Sequence, residues 1–201
     1  MISKVTLFLL IALLAGCKHK TFSTEKELIA YIQDEDNGLK ITNEVGDYKV
    51  AVTYRPTDLL IKQEVGEKPT KEAIEKAKMK YQNYYYFILS LSKSGKEALD
   101  QSQGFGQYSE MVQRLSFRVP EFVNMTTSAS DTIPVADFIL NRTYGLSSST
   151  DVLVVFNKEK TIHQKWVQFN LNEFGMGLGN SRMRFKVKDL EGYPKLKLGR
   201  M

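Results

Sequence analysis

Asp151-Val-Leu-Val-Val-Phe156 and Lys165-Trp-Val-Gln-Phe-Asn-Leu171 decide the fold class. Both runs are short and rich in β-branched or aromatic residues, and both are bounded by polar turn-formers, which favours strand over helix. Working outward, Phe117 to Thr126, Thr132 to Leu140 and Arg182 to Lys188 read the same way. Ser147-Ser148-Ser149-Thr150 and Gly175-Met176-Gly177-Leu178-Gly179 supply turns between them. Short strands at this spacing predict a mainly antiparallel, sandwich-like C-terminal half.

Helical signals dominate upstream. Thr24-Glu25-Lys26-Glu27 is a capping box, and Leu28, Ile29 and Ile32 form the apolar stripe behind it. The acidic run Asp34 to Asn37 ends that helix at Gly38. Leu39 to Val45 and Tyr48 to Tyr54 form a hairpin about Gly46-Asp47. Arg55-Pro56-Thr57-Asp58 stops the second strand and opens a helix, with Thr57 as its expected cap. Thr70 caps the next helix, whose buried face is Ile74, Ala77 and Tyr81. Tyr85 to Leu91 is strand-like, and Tyr108, Met111, Val112 and Leu115 mark one more helix. The expected class is α+β, with N-terminal helices and a hairpin packed on the sandwich-like half.

The N-terminus carries an address. Lys4 precedes the apolar run Val5 to Leu14, about half the length a bilayer-crossing helix needs, so it reads as a secretory leader. Leu14-Ala15-Gly16-Cys17 resembles the bacterial lipobox. That resemblance implies cleavage before Cys17, with Leu14, Ala15 and Gly16 as the peptidase recognition residues. It also implies diacylglyceryl and N-acyl chains on Cys17. Residues 1–16 are then a leader, 17–23 a lipidated tether and 24–201 a single body. Several acyl chains hold far more firmly than one, at about 0.8 kcal/mol per buried methylene. Lys18-His19-Lys20 lacks both the aspartate of the enterobacterial inner-membrane retention signal and the acidic run of Bacteroidota surface export. By these resemblances the protein faces the periplasm from the outer membrane.

Composition bounds the rest. With 42% hydrophobic and 25% charged residues the chain is ordinary globular material, not disordered. The excess of 28 Lys+Arg over 23 Asp+Glu is spread along the chain as a solvated surface, so no nucleic-acid partner is expected. Cys17 is the only cysteine, which leaves no disulfide or thiolate metal site once it is acylated. No cofactor, metal site or catalytic residue is expected.

A second likeness spans most of the mature chain. Tyr54-Arg55-Pro56-Thr57-Asp58-Leu59-Leu60, the aromatic strand after the third helix, the glycine-broken Phe174 to Phe185 stretch and Pro194-Lys195-Leu196-Lys197-Leu198 resemble a group of uncharacterised Bacteroidota lipoproteins. It implies envelope localisation and a single domain over the full length, and carries over no activity and no site residues.

Several local patterns invite chemistry. His163 with Ser147, Ser148 or Ser149 and Asp151 would make a nucleophilic triad, yet no nucleophile elbow is present and the serines read as a turn. Asp34, Asp36 and Asn37 resemble half a calcium loop with the glycine one place early. Tyr84-Tyr85-Tyr86-Phe87 is either core packing or an exposed aromatic platform. Asp131-Thr132-Ile133 resembles the Bacteroidota O-glycosylation signal, making Thr132 the candidate acceptor.

The expected function is a lipid-anchored, non-enzymatic envelope module that binds an envelope protein or glycan. The alternatives are an envelope hydrolase using carboxylates and a structural or immunity-type lipoprotein.

Overall fold

A computed structural model describes residues 21–101 and 104–199. The expected leader, the lipobox-like residues Leu14 to Cys17 and most of the expected tether lie outside the described residues.

The capping box at Thr24 forms: Glu27 N–H donates to the Thr24 hydroxyl, and the Glu27 carboxylate accepts from the Ser23 and Thr24 backbone. Helix α1 (Glu25–Gln33) buries Leu28 and Ile32. After a 3-10 turn at Glu35–Asn37, Gly38 adopts a φ of 70° that β-carbon residues resist. There follow β1 (Lys40–Val45), β2 (Tyr48–Tyr54), α2 (Thr57–Val65), α3 (Lys71–Tyr81), β3 (Tyr84–Lys93) and the short β4 (Lys96–Glu97). The chain continues through α4 (Gly104–Phe117), β5 (Val123–Thr127), β6 (Thr132–Asn141), β7 (Thr150–Asn157), β8 (Trp166–Leu171), β9 (Ser181–Lys186) and α5 (Val187–Gly192).

The α+β class holds, but the strands do not segregate into a hairpin unit and a sandwich. They form one antiparallel nine-stranded sheet in the order β1-β2-β3-β7-β6-β5-β8-β9, with β4 on β3. The junction is β3 against β7, in register from Tyr84↔Asn157 to Leu91↔Thr150. This sheet is nearly closed into a barrel. The Phe87 ring on β3 meets Phe156 on β7, Phe169 on β8 and Phe185 on β9, so distant strands face each other across the interior. Segments flanking the two edge strands also meet. Phe22 bridges to Leu196 in parallel, and Gly38 lies against the Asp189 side chain of α5. The folded body therefore takes in Phe22, ahead of the boundary the sequence suggested.

Inside, Val50, Val52, Leu89, Leu91, Val152, Val154, Met125, Val167 and Met183 join these rings and α1 in one cluster. Outside, the tyrosine face of β3 is covered as well. Tyr86 packs edge-on to Tyr81 of α3, and its neighbours Ala51, Thr53 and Val155 are buried. The outer face is thus covered where β2 ends and β3 begins, and is only part-buried beyond, at Ile88 and Ser90.

Three boundaries depart from the sequence reading. Phe117 ends α4, and the strand begins only at Val123 after a turn around Pro120. Pro56, not Thr57, occupies the cap position of α2 and makes no side-chain cap bond. The helix is instead tied by Asp58, whose carboxylate accepts Leu196 N–H at 2.8 Å. Residues from Val187 form α5 rather than prolonging β9. Among the described residues, no helix is long and apolar enough to cross a membrane.

Candidate functional site

The register gives the barrel two ends. At one, β3 begins, β7 ends, β8 begins and β9 ends; Phe22 enters here, so it is called the tether end. At the far end β3 runs into β4, and the loop between β6 and β7 packs against it.

A cleft of about 480 Å³ opens at the tether end, lined by Gln82, Asn83, Tyr84, Asn157, Lys158, Glu159 and Ile162. Its rim is fixed by backbone bonds: Gln82 N–H closes α3 on Lys78, and Lys158 N–H donates to the Asn83 carbonyl at 3.0 Å. The Asn157 side-chain oxygen accepts Glu159 N–H at 2.7 Å. Among the described residues, the Gln82 and Asn83 side-chain amides make no hydrogen bond, and Ile162 is 62% exposed. The cleft thus offers unspent amide donors and acceptors beside an aromatic and an aliphatic surface.

Behind the cleft lies a polar cluster built around the buried tyrosines Tyr54, Tyr85 and Tyr193. Tyr85 is interior, and its hydroxyl donates to Glu191 at 2.8 Å. Lys158 pairs with the same carboxylate at 2.9 Å and lies 4.9 Å over the Tyr85 ring. Burial raises the Tyr85 hydroxyl above its ordinary range. Burial would raise Glu191 too, but the hydrogen bonds from Lys158 and Tyr85 outweigh it and hold the carboxyl low. Tyr54 and Tyr193, their rings 6.0 Å apart, are likewise pushed up by burial. The Lys195 ammonium sits 3.5 Å from the Tyr193 ring centre; burial lowers it, opposed by Asp58 and Glu191. Every acid in this cluster is engaged, so it braces the cleft rather than supplying a free general acid or base.

The far end has a different character. Glu97 is buried, and its Oε1 accepts the Thr143 hydroxyl and the Gly145 and Ser147 N–H groups, each of the latter at 3.0 Å. That one oxygen shapes the β6–β7 loop. On the loop, Tyr144 and Leu146 are exposed, as is Phe105 near the start of α4. Arg142 stacks on the Tyr144 ring and donates to the Tyr108 hydroxyl at 3.0 Å.

The glycine-rich stretch is a nest for an internal anion. The Phe174, Gly175, Met176 and Gly177 N–H groups converge on Glu173 Oε1 at 3.0, 2.7, 2.8 and 3.0 Å, while Gly179 N–H reaches Oε2. Gly175, Gly177 and Gly179 take φ values of 102°, 76° and 62°, which turn successive N–H groups inward. Burial acts to raise Glu173, but these donors win and hold it below the ordinary carboxylate value. Phe174 is thereby delivered to the core, stacked 4.3 Å from Phe122.

The remaining sequence candidates fall apart or into place. Ser147 to Ser149 lie at the far end, whereas His163 is an exposed turn residue at the tether end with φ 63°, so the triad is never assembled. The Ser149 hydroxyl simply donates to Asp151 at 2.8 Å. Asp34 accepts Asp36 N–H and Asn37 donates to the Tyr31 carbonyl, consuming the half calcium loop as a turn. Among the described residues, no group of three or more His, Cys, Asp or Glu could hold a metal. Of the aromatic run, Tyr85, Tyr86 and Phe87 are core and only Tyr84 reaches the cleft. Thr132 is the exposed first residue of β6, at the tether end. The cleft itself was missed because its amides come from two turns distant in sequence, Gln82-Asn83 and Asn157.

No protein-family model matches the chain. No curated protein matches it either. Two solved structures are similar to it in outline: a DUF4426 family protein from Pseudomonas aeruginosa and a novel protein of unknown function from Burkholderia pseudomallei. The first is 9% identical over 73% of this chain and 91% of its own, with a TM-score of 0.35. The second is 10% identical over 83% and 86%, with a TM-score of 0.38.

Proposed function

We propose that this protein is a lipid-anchored envelope module that binds, without chemical turnover, a glycan of the cell envelope in the cleft at the tether end. The anchor is Cys17, acylated after cleavage of residues 1–16, and the compartment is the periplasmic face of the outer membrane. The observation that carries the binding role is the cleft lining. The unspent Gln82 and Asn83 amides stand beside the Tyr84 ring and Ile162, which matches the alternating hydroxyl and C–H faces of a sugar. A hydrolase would need two free carboxylates flanking the bond to be cut. Here Glu159 is the sole carboxylate on the cleft lining, and Glu191 behind it is tied to Lys158 and Tyr85.

The test is saturation-transfer NMR of the detergent-solubilised lipoprotein with soluble peptidoglycan and lipopolysaccharide sugar fragments. We expect transfer to at least one fragment class, and loss of about tenfold or more in affinity for Asn83→Ala combined with Tyr84→Ala, each removed contact being worth about 1 kcal/mol. Equal transfer in wild type and variant, or release of cleaved fragments, would contradict the reading.

A protein partner is favoured by a separate observation, the exposure of Phe105, Tyr144 and Leu146 at the end away from the anchor. If that surface is the working one, Leu146→Ser abolishes partner cross-linking while the cleft variants leave it intact.

A further inference from the structure

We infer that the β7–β8–β9 side of the tether end is a docking face for anionic phospholipid headgroups, so that the barrel lies on the membrane in one orientation instead of swinging from its lipid. Its orientation rests on the proposed Cys17 anchor. Two independent observations carry it.

The first is where the chain leaves the body. Phe22 is held in the C-terminal segment by two backbone bonds, its N–H to Lys195 at 2.9 Å and its carbonyl accepting Lys197 N–H at 3.0 Å. Cys17 stands five residues before it, and five extended residues span at most about 18 Å. The segment around Lys195 and Lys197 is thus held near the bilayer surface.

The second is charge. Lys160, Lys165, Lys186, Lys188, Lys195 and Lys197 are all exposed at the tether end, on the segment that follows β7 and from the last residue of β9 onward. Strand register brings Lys165 and Lys186 together: Lys186 opposes Trp166 directly after Lys165, and Val187 N–H bonds to the Lys165 carbonyl, while Lys195 and Lys197 flank Phe22. Among the described residues, none of the six is in an ion pair. The acids nearby are Glu191 and Asp58, which face Lys195, Glu27 beside Phe22, and Asp131, Glu159 and Asp189, with the turn Asp34 to Asp36 set towards the β1 edge. Each basic residue at an anionic surface contributes about 1 kcal/mol, and four to eight together hold a protein there. A cleft on this end then meets glycans carried at the headgroup layer.

Docking and anchoring are separable by experiment. The complete mature chain, made as Cys17→Ser behind a cleavable leader, is mixed with vesicles of phosphatidylcholine alone or with phosphatidylglycerol added. We expect co-sedimentation only with the anionic vesicles, lost at high salt and weakened about tenfold or more by Lys195→Glu with Lys197→Glu. The charge-matched far-end variant Lys49→Glu with Lys96→Glu binds as the parent does. Equal binding to both vesicle types, or equal loss in both variants, overturns the docking face. Palmitate incorporation by the wild-type chain in cells reads the anchor alone. Labelling without vesicle docking removes the docking face and leaves the anchor; docking without labelling does the reverse.

Discussion

Glu173 sits among five backbone donors, and the loop that follows has the geometry of an anion site already filled by its own chain. The glycines were legible in the sequence as a turn. The carboxylate at their centre was not, because side chain-to-backbone capture leaves no periodicity. An acid directly ahead of alternating glycines is the signal that would have found it. Glu173→Ala is expected to cost about 1–2 kcal/mol, at the lower end for charged hydrogen bonds because the residue is exposed. Glu173→Gln retains one acceptor oxygen and is expected to cost about half as much. Chemical denaturation measures both. The pH dependence has a definite sign. A carboxyl held below its ordinary 4.5 in the folded state stabilises fully above that value and loses its contribution as pH falls through the lowered one. The stability gap between wild type and Glu173→Gln therefore narrows as pH drops below about 4.5.

Among the elements, β3 is the strand that made the whole sheet. Its aromatic run was legible as a strand, and so were both hairpin strands beside it. Its partner was not, because pairing β3 with β7 spans more than fifty residues and alternation carries no address for a mate. Hence the sequence-level expectation of a separate hairpin and sandwich gave way to one nearly closed sheet. The misplaced start of β5 has a simpler cause. Phe117-Arg118-Val119 has strand-like composition, but α4 already runs through Met111 and Leu115 to Phe117, and packing outweighs propensity. Phe87 is the point where β3, β7, β8 and β9 meet. Phe87→Ala is expected to destabilise the protein by about 3–5 kcal/mol, and Phe87→Leu by much less, read from urea midpoints at constant slope. An alanine variant within 1 kcal/mol of wild type, roughly the level of an exposed site, would mean the barrel interior is not packed through this ring.

For the molecule as a whole, the fold and the proposed anchor belong to different levels of the chain. The barrel is specified by the ring cluster inside and by the cover over Ala51, Thr53 and Tyr86 outside. The proposed anchor rests on Leu14 to Cys17, outside the described residues, and would act on the barrel through the short segment ending at Phe22. Under that proposal the segment ties the lysines of the tether end and the cleft beside them to one distance from a membrane. Cleft, docking face and localisation consequently stand together on the lipid. Intact-mass spectrometry of the protein extracted from bacterial membranes tests it most directly. The expected species begins at Cys17 and carries the added mass of a diacylglyceryl group and an N-acyl chain. A species that begins at Met1, or one cleaved elsewhere with an unmodified Cys17, would contradict the anchor and with it the proposed place of work.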